Sequence, residues 1–163
     1  FAGPARASAA ARLAPPPRPY LEDRTEIRVR FNEVDSLRIV WHGHYVAYLE
    51  EARRAFGRRH GLDYPVFLEH GIAAPVVQLD LDYLAPARLQ DVLEVTTRFY
   101  QSDCPKLEFA YTIRRLGEEP LLATGSTVQV FTTFEGELLL QWPPLMIERY
   151  RLWEGQWIRP TTE

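Results

Sequence analysis

Residues 28–45 read Arg-Val-Arg-Phe-Asn-Glu-Val-Asp-Ser-Leu-Arg-Ile-Val-Trp-His-Gly-His-Tyr, and this stretch decides the fold. It opens as a half-buried strand, because Ile27, Val29 and Phe31 alternate with polar residues. It closes where a helical period begins, and Asp35 lies in the short turn between the two. A carboxylate just before a helix N-terminus can attack a carbonyl or activate water, while the helix supplies N–H groups and partial positive charge for an oxyanion.

The residues after this turn predict a long amphipathic helix. Glu50 stands four residues before Arg54 on its polar face, which is a favourable spacing for an ion pair. Gly61 predicts the end of the helix, and a second helical segment is predicted from Tyr64 to His70. The apolar face has the i, i+3, i+4, i+7 spacing of a core-facing helix and consists of Tyr45, Tyr48, Leu49, Ala52, Ala55 and Phe56.

Four more strands are predicted downstream. They alternate apolar and polar residues over 77–83, 93–99 and 107–113, and a β-rich run covers 121–134. Gly125 inside the last run indicates a bulge or a point of close approach. The short polar links between these runs favour antiparallel neighbours.

The order of strand, long helix and four strands predicts an α+β fold in which a five-stranded antiparallel sheet wraps the helix. We expect a flexible leader over 1–22, rich in Ala, Arg and Pro, since its prolines exclude a regular helix. The folded domain is expected over 23–142. A C-terminal helix and tail are expected over 143–163, starting at the Pro143-Pro144 pair, with Met146, Tyr150 and Trp153 on one side.

Composition narrows the class of protein. The chain has 163 residues and a net charge of −3, which argues against general nucleic-acid binding. Cys104 is the single cysteine, so no disulfide can form within the chain and a reducing, cytoplasmic compartment is expected. No apolar run is long enough to predict a membrane span.

Residues 28–45 resemble the signature of hotdog-fold acyl-CoA thioesterases of the 4-hydroxybenzoyl-CoA thioesterase family, close to its small Tol-Pal-associated branch. That signature is Arg or Gln, an aliphatic, four residues, Thr or Cys, Asp, two residues, Gly or Ala, Ile or Val, Val, any residue, His or Tyr, two residues, and Tyr or Phe. A second similarity is the Tyr-Leu-Ala-Pro-Ala-Arg run at 83–88. The likeness spans about residues 24 to 140 and implies the hotdog fold and thioester hydrolysis.

Two positions depart from that signature. Val34 stands where the family has Thr or Cys, and Arg38 stands where it has Gly or Ala. Glycine would permit a tight turn with positive φ and a close approach of substrate. Arg38 is therefore expected either to change the turn or to reach toward a phosphate of the acyl carrier.

By resemblance, Asp35 is the catalytic carboxylate, acting as nucleophile or as general base for water. The backbone N–H of His42 is the expected oxyanion donor, and its imidazole could assist proton transfer. Trp41 and Tyr45 have two alternative roles, core anchors in the first place and candidate substrate contacts in the second, and Arg38 is a candidate contact to the carrier.

No metal site is predicted, because the His42-Gly43-His44 run lacks a third ligand of suitable spacing. No separate cofactor is expected either, since coenzyme A belongs to the substrate. The expected partners are an acyl-CoA or acyl-carrier-protein thioester and further copies of the chain, as a dimer or dimer of dimers. Two alternatives stay open: a hydratase or dehydratase pairing His42 with Glu50 or Glu51, and a non-catalytic acyl-CoA-binding or scaffold protein.

Overall fold

A computed structural model describes residues 17–161, so most of the predicted leader, residues 1–16, lies outside the described residues. One antiparallel sheet has the strand order β1-β3-β4-β5-β2, as the α+β prediction requires. The strands are β1 (Tyr20–Arg28), β2 (Val76–Tyr83), β3 (Val92–Tyr100), β4 (Lys106–Arg115) and β5 (Leu121–Val130). The helices are α1 (His44–His60), α2 (Tyr64–Glu69) and α3 (Pro144–Leu152).

Helix α1 is the element around which the core forms. Its predicted apolar face is buried, and Tyr48, Ala52 and Phe56 have almost no exposed surface. The Phe56 ring packs against Phe99 of β3 and Phe109 of β4, with centroids 5.9 and 5.5 Å away. Full burial of each large apolar side chain contributes about 1.5–3 kcal/mol, so this face fixes the helix on the sheet.

Gly125 is the point of close approach between α1 and β5. A Cβ atom there would lie 2.9 Å from Leu49 Cδ1 and 3.1 Å from the Asp80 carbonyl oxygen, so a side chain would push the helix or β2 away. The bulge alternative is wrong for this glycine, because the register shift of the β4–β5 pair lies between Ile113 and Arg114.

The C-terminal helix is confirmed and packs on the same core. Met146 and Trp153 are buried, and Tyr150 is half-buried beside them. The Trp153 ring lies 5.6 Å from the Phe99 ring of β3. The predicted end of α1 is also confirmed, because Gly61 caps it in the left-handed conformation with φ 73°.

The first strand differs from the prediction. It begins at Tyr20, three residues inside the predicted 1–22 leader, and ends at Arg28. Phe31, predicted to face the core, is 81% exposed in a 3₁₀ turn. The alternation missed the start of β1 because that half of the strand is charged, and Glu22 is accommodated there by Arg98 at 2.7 Å.

The turn between β1 and α1 is closed by backbone hydrogen bonds. Val34 pairs with Val40, and the Asp35 N–H donates to the Ile39 carbonyl over 2.9 Å. Arg38 has φ 61°, in the left-handed region that favours glycine. Of the two expectations for Arg38, a changed turn is therefore wrong: arginine adopts the conformation that glycine would have.

We expect Arg38→Gly to raise the free energy of unfolding by about 0.5–1 kcal/mol. Removing Cβ relieves a left-handed cost of about 1–2 kcal/mol, and the greater freedom of glycine in the unfolded chain offsets part of it. Urea unfolding followed by circular dichroism measures the change. Arg88→Gly is the control. Arg88 is not among the positive-φ residues of the described chain, so glycine relieves no strain there and should lower the free energy of unfolding. A loss of stability in Arg38→Gly would contradict the turn described here.

Candidate active site

Asp35 is held by its own turn. Its Oδ1 accepts a hydrogen bond from the Leu37 N–H over 2.8 Å, and its carbonyl oxygen accepts from the Arg38 N–H over 2.9 Å. This is the local side-chain-to-backbone bond that aspartate forms in turns. The side chain is partly exposed, so an oriented carboxylate is presented at the surface just before α1.

A second carboxylate, which the sequence analysis did not single out, ties this turn to the helix. Glu33 Oε2 accepts hydrogen bonds from the Tyr48 hydroxyl over 2.7 Å and from the Arg30 N–H over 2.8 Å. The carbonyl oxygen of Glu33 accepts from the Trp41 N–H over 2.9 Å. Burial of the Tyr48 phenol, reinforced by the charge of Glu33, raises the pKa of Tyr48 well above its usual value, so it remains a donor.

Two peptide groups at the start of α1 are fixed through their carbonyl oxygens. The Trp41 carbonyl accepts from the His44 N–H over 3.0 Å, and the His42 carbonyl accepts from the Tyr83 hydroxyl over 2.7 Å. A planar trans peptide directs its N–H opposite to its C=O, so the N–H groups of His42 and Gly43 point the other way. Neither has an acceptor among residues 17–161. The N–H of Gly43 is therefore a second candidate oxyanion donor beside the predicted one at His42, and the sequence pattern did not indicate it.

Trp41 lies at the surface. Its indole is 49% exposed and covers Gly43, where an added Cβ would lie 2.1 Å from the ring. The ring centroid is 4.8 Å from the imidazole of His42 and 5.5 Å from that of His44. The core-anchor alternative is wrong for Trp41, and contact with substrate stays a prediction.

Tyr45 is the core anchor of the pair. It is 3% exposed, and its hydroxyl accepts a hydrogen bond from the Ala87 N–H over 3.1 Å. Its ring meets the Tyr83 ring edge-on, with centroids 5.1 Å apart. Tyr45 thus joins α1 to the segment after β2. A contact between Tyr45 and substrate stays a prediction, and it would have to form in the protein interior.

The two stretches that carry the family resemblance meet in space. The Val40 N–H donates to the Ala87 carbonyl over 2.8 Å, and Ile39 pairs with Arg88. Asp91 steadies this segment by accepting hydrogen bonds from the Arg88 N–H and the Arg115 guanidinium, both over 2.8 Å. The Asp35 turn is therefore supported by the link between β2 and β3 as well as by α1.

The predicted residues separate into two environments. Trp41 and His42 lie together at the start of α1, with their ring centroids 4.8 Å apart. Asp35 and the exposed Arg38 belong to the preceding turn. Within residues 17–161, no three His, Cys, Asp or Glu side chains are arranged to hold a metal ion. The same residues contain no helix with the length and apolar character of a membrane span.

Comparison with known proteins shows which family has this architecture. A sequence model of the Thioesterase-like superfamily matches residues 29–149. The acyl-CoA thioester hydrolase YbgC of Escherichia coli O6:H1 is 32% identical over 90 residues, which are 55% of this chain and 67% of that protein. The family model covers residues 29–45 of the first stretch that carries the resemblance and all of the second, 83–88.

Solved structures show the same fold. A hypothetical protein from Thermus thermophilus superposes with a TM-score of 0.70 at 36% identity, over 79% of this chain and 97% of that one. The DHNA-CoA thioesterase of Staphylococcus aureus superposes with a TM-score of 0.73 at 24% identity, over 82% and 91%. With the family match, these likenesses confirm the predicted fold: the chain belongs to the thioesterase-like superfamily and has the hotdog fold of its members.

Proposed function

We propose that the protein hydrolyses acyl-CoA thioesters to a free acid and coenzyme A. The observation that carries this proposal is the oriented Asp35 carboxylate in the turn that leads to α1, where the N–H groups of His42 and Gly43 lack acceptors among residues 17–161. Membership of the thioesterase-like superfamily supports the reaction type. The relative YbgC, which is named an acyl-CoA thioester hydrolase, supports the choice of carrier, with acyl-carrier protein as the other candidate.

The N–H groups of His42 and Gly43 would bind the oxygen of the thioester carbonyl as negative charge develops on it. Asp35 would attack the carbonyl carbon and expel the thiolate, leaving an anhydride that water hydrolyses. Alternatively it would take a proton from water, which then attacks the same carbon. Both routes end in a carboxylic acid and a thiol, and neither needs a metal or a separate cofactor.

The two alternative functions have weaker support. A hydratase needs a helix carboxylate to act as acid or base, but Glu50 forms an ion pair with Arg53 and Glu51 is an exposed residue of α1. The departures at Val34 and Arg38 motivate a non-catalytic binding protein, yet Val34 pairs with Val40 in the turn and Arg38 has the positive φ that glycine would permit. The free, exposed thiol of Cys104 supports the prediction of a reducing, cytoplasmic compartment.

We also propose that the protein is at least a dimer formed through β2, with a dimer of dimers as the predicted assembly. β2 lies at the edge of the sheet, and its apolar side chains Val77, Leu79 and Tyr83 are exposed by 59%, 40% and 49%. Exposed apolar edge strands are templates for pairing. Antiparallel pairing with a second copy would set the Val76 end of one β2 beside the Tyr83 end of its partner.

Asp35→Asn is expected to lower kcat by about 100-fold or more, because an amide neither attacks the carbonyl nor accepts a proton from water. Release of thiol from a panel of aliphatic and aryl CoA thioesters measures the effect. Asp103→Asn, which changes an exposed aspartate in the β3–β4 turn, is the matched control and should keep the wild-type rate. Equal rates in wild type and Asp35→Asn would remove Asp35 from the mechanism.

Tyr48→Phe should cut kcat by about three- to tenfold and the free energy of unfolding by about 1 kcal/mol, because Glu33 loses a buried hydrogen bond that holds the turn. KM should change less than kcat, since the substrate contacts stay in place. The same thiol assay and urea unfolding provide both values. Tyr20→Phe, which changes a partly exposed tyrosine at the start of β1, serves as the control. A stability loss with unchanged kcat would show that the hydrogen bond between Tyr48 and Glu33 does not position Asp35.

Leu79→Arg is expected to give monomers that have lost hydrolysis, because a charge would be buried against the partner strand. Light scattering at micromolar concentration reports the mass, and the thiol assay reports activity. Leu140→Arg places the same charge on a leucine that is 79% exposed away from β2 and should leave both unchanged. A monomeric, active wild-type protein would contradict the shared-edge assembly.

A further inference from the structure

The hydroxyl of Tyr83 makes a hydrogen bond that reaches the candidate oxyanion donors. It donates to the His42 carbonyl oxygen over 2.7 Å. No backbone N–H of residues 17–161 forms a turn or loop hydrogen bond to this oxygen, so its donor in the described chain is a side chain from another element. Tyr83 is the last residue of β2, whereas His42 lies just before α1, and the bond therefore crosses from the sheet to the helix.

Tyr83 is fixed by its strand and by two neighbouring rings. It pairs with Ala123 of β5, and its ring meets those of Tyr45 and His42 nearly at right angles, with centroids 5.1 and 6.4 Å away. A donor on a strand that packs against a buried ring keeps its geometry better than one on a loop. Partial burial of the phenol, to which nearby Tyr45 adds, raises the pKa of Tyr83, so the hydroxyl keeps the proton that it donates.

The carbonyl that accepts this bond belongs to the same peptide group as the Gly43 N–H. A hydrogen bond to the carbonyl oxygen draws electron density toward that oxygen and leaves the N–H of the same amide more positive. Such cooperative strengthening amounts to about 10–30% per bond. The Gly43 N–H points away from Tyr83 and has no acceptor among residues 17–161, so it is available to an oxygen of a ligand.

The neighbouring candidate donor is linked to the backbone instead. The His42 N–H shares its peptide group with the Trp41 carbonyl, which accepts from the His44 N–H over 3.0 Å in the turn that starts α1. A phenol hydroxyl is more acidic than a backbone amide and polarises its acceptor more. Of the two candidate donors, Gly43 is therefore the one whose strength a side chain sets.

We propose that Tyr83 is a positioning residue that strengthens the Gly43 N–H as an oxyanion donor through the peptide group between His42 and Gly43. This inference rests on the proposed hydrolase function. No proton leaves the Tyr83 hydroxyl during the reaction, and its bond to the His42 carbonyl persists while the oxyanion forms. The effect is largest in the transition state, where the thioester oxygen carries more negative charge than in the bound substrate, so it should act on kcat more than on KM.

Tyr83→Phe keeps the ring contacts and removes the hydroxyl. With the CoA thioester that the wild type hydrolyses fastest, it should lower kcat by about three- to tenfold and change KM by less than about twofold. The loss is smaller than the roughly 100- to 1000-fold cost of deleting an oxyanion donor, because the Gly43 N–H is weakened and not removed. Tyr20→Phe removes a hydroxyl at the start of β1 and is the matched control, with both constants unchanged.

An infrared measurement separates polarisation of the donor from support of the fold. A thioester labelled with carbon-13 at its carbonyl and bound to Asp35→Asn reports the hydrogen bonds that its oxygen receives, because stronger donors lower the stretching frequency. The frequency should rise when Tyr83→Phe is combined with Asp35→Asn. It should fall when a fluorinated tyrosine, whose phenol is a stronger donor, replaces Tyr83. In proteins that retain Asp35, kcat should be lowest with phenylalanine and highest with the fluorinated residue.

The outcomes that would overturn the inference differ from those that would contradict the proposed function. One carbonyl frequency in all three proteins, or equal kcat in wild type and Tyr83→Phe, would remove Tyr83 from the oxyanion site. A raised KM with unchanged kcat would show a direct contact with substrate instead. If Tyr83→Phe does not fold, the fluorinated protein, which keeps the hydroxyl, decides alone. Absence of hydrolysis by the wild type would contradict the proposed function itself.

Discussion

The burial of one face of α1 against the sheet is the constraint on which the rest of the structure depends. Tyr48, Ala52 and Phe56 leave the helix no alternative rotation, and Gly125 permits the close approach of Leu49. Because protein interiors are packed as densely as organic crystals, a small shift of α1 would open voids or create clashes along its length. The position of the helix start, where the candidate chemistry lies, is thereby set by packing rather than by the loop that precedes it.

That rigidity reaches the candidate site through hydrogen bonds. Tyr48 belongs to the buried face of α1, and its hydroxyl holds Glu33, which in turn fixes the turn that presents Asp35. Tyr83 of the edge strand holds the His42 carbonyl from the other side. A functional group supported by packed elements keeps its geometry better than one on an unsupported loop. The charged and polar groups of the site are therefore held in place by hydrogen bonds to side chains of the packed helix and sheet.

Periodicity predicted α1 and the strands β2 to β5 because their apolar spacing reflects burial directly. It failed at β1, where Asp23 and its charged neighbours face partners on other elements, with His60 2.9 Å from the Asp23 carboxylate. It also could not place Trp41, which covers a glycine at the surface. The link from Glu33 to Tyr48 depends on a distance between segments, which a single sequence does not contain. Asp35 was found because the spacing of its neighbours resembles a known signature.

The central claim is that Asp35 acts in a site that the partner protomer completes across the β2 edge, and a mixing experiment tests it most directly. Asp35→Asn should be inactive alone, and so should Ala74→Trp, which fills the cavity between α1, α2 and the ends of β4 and β5. Co-expressed in equal amounts, they should form mixed dimers in which one of two sites is intact, restoring about a quarter of the wild-type rate. No recovery of thiol release in mixed dimers, confirmed by mass, would contradict the account, since a site contained within one protomer cannot be rescued by the other.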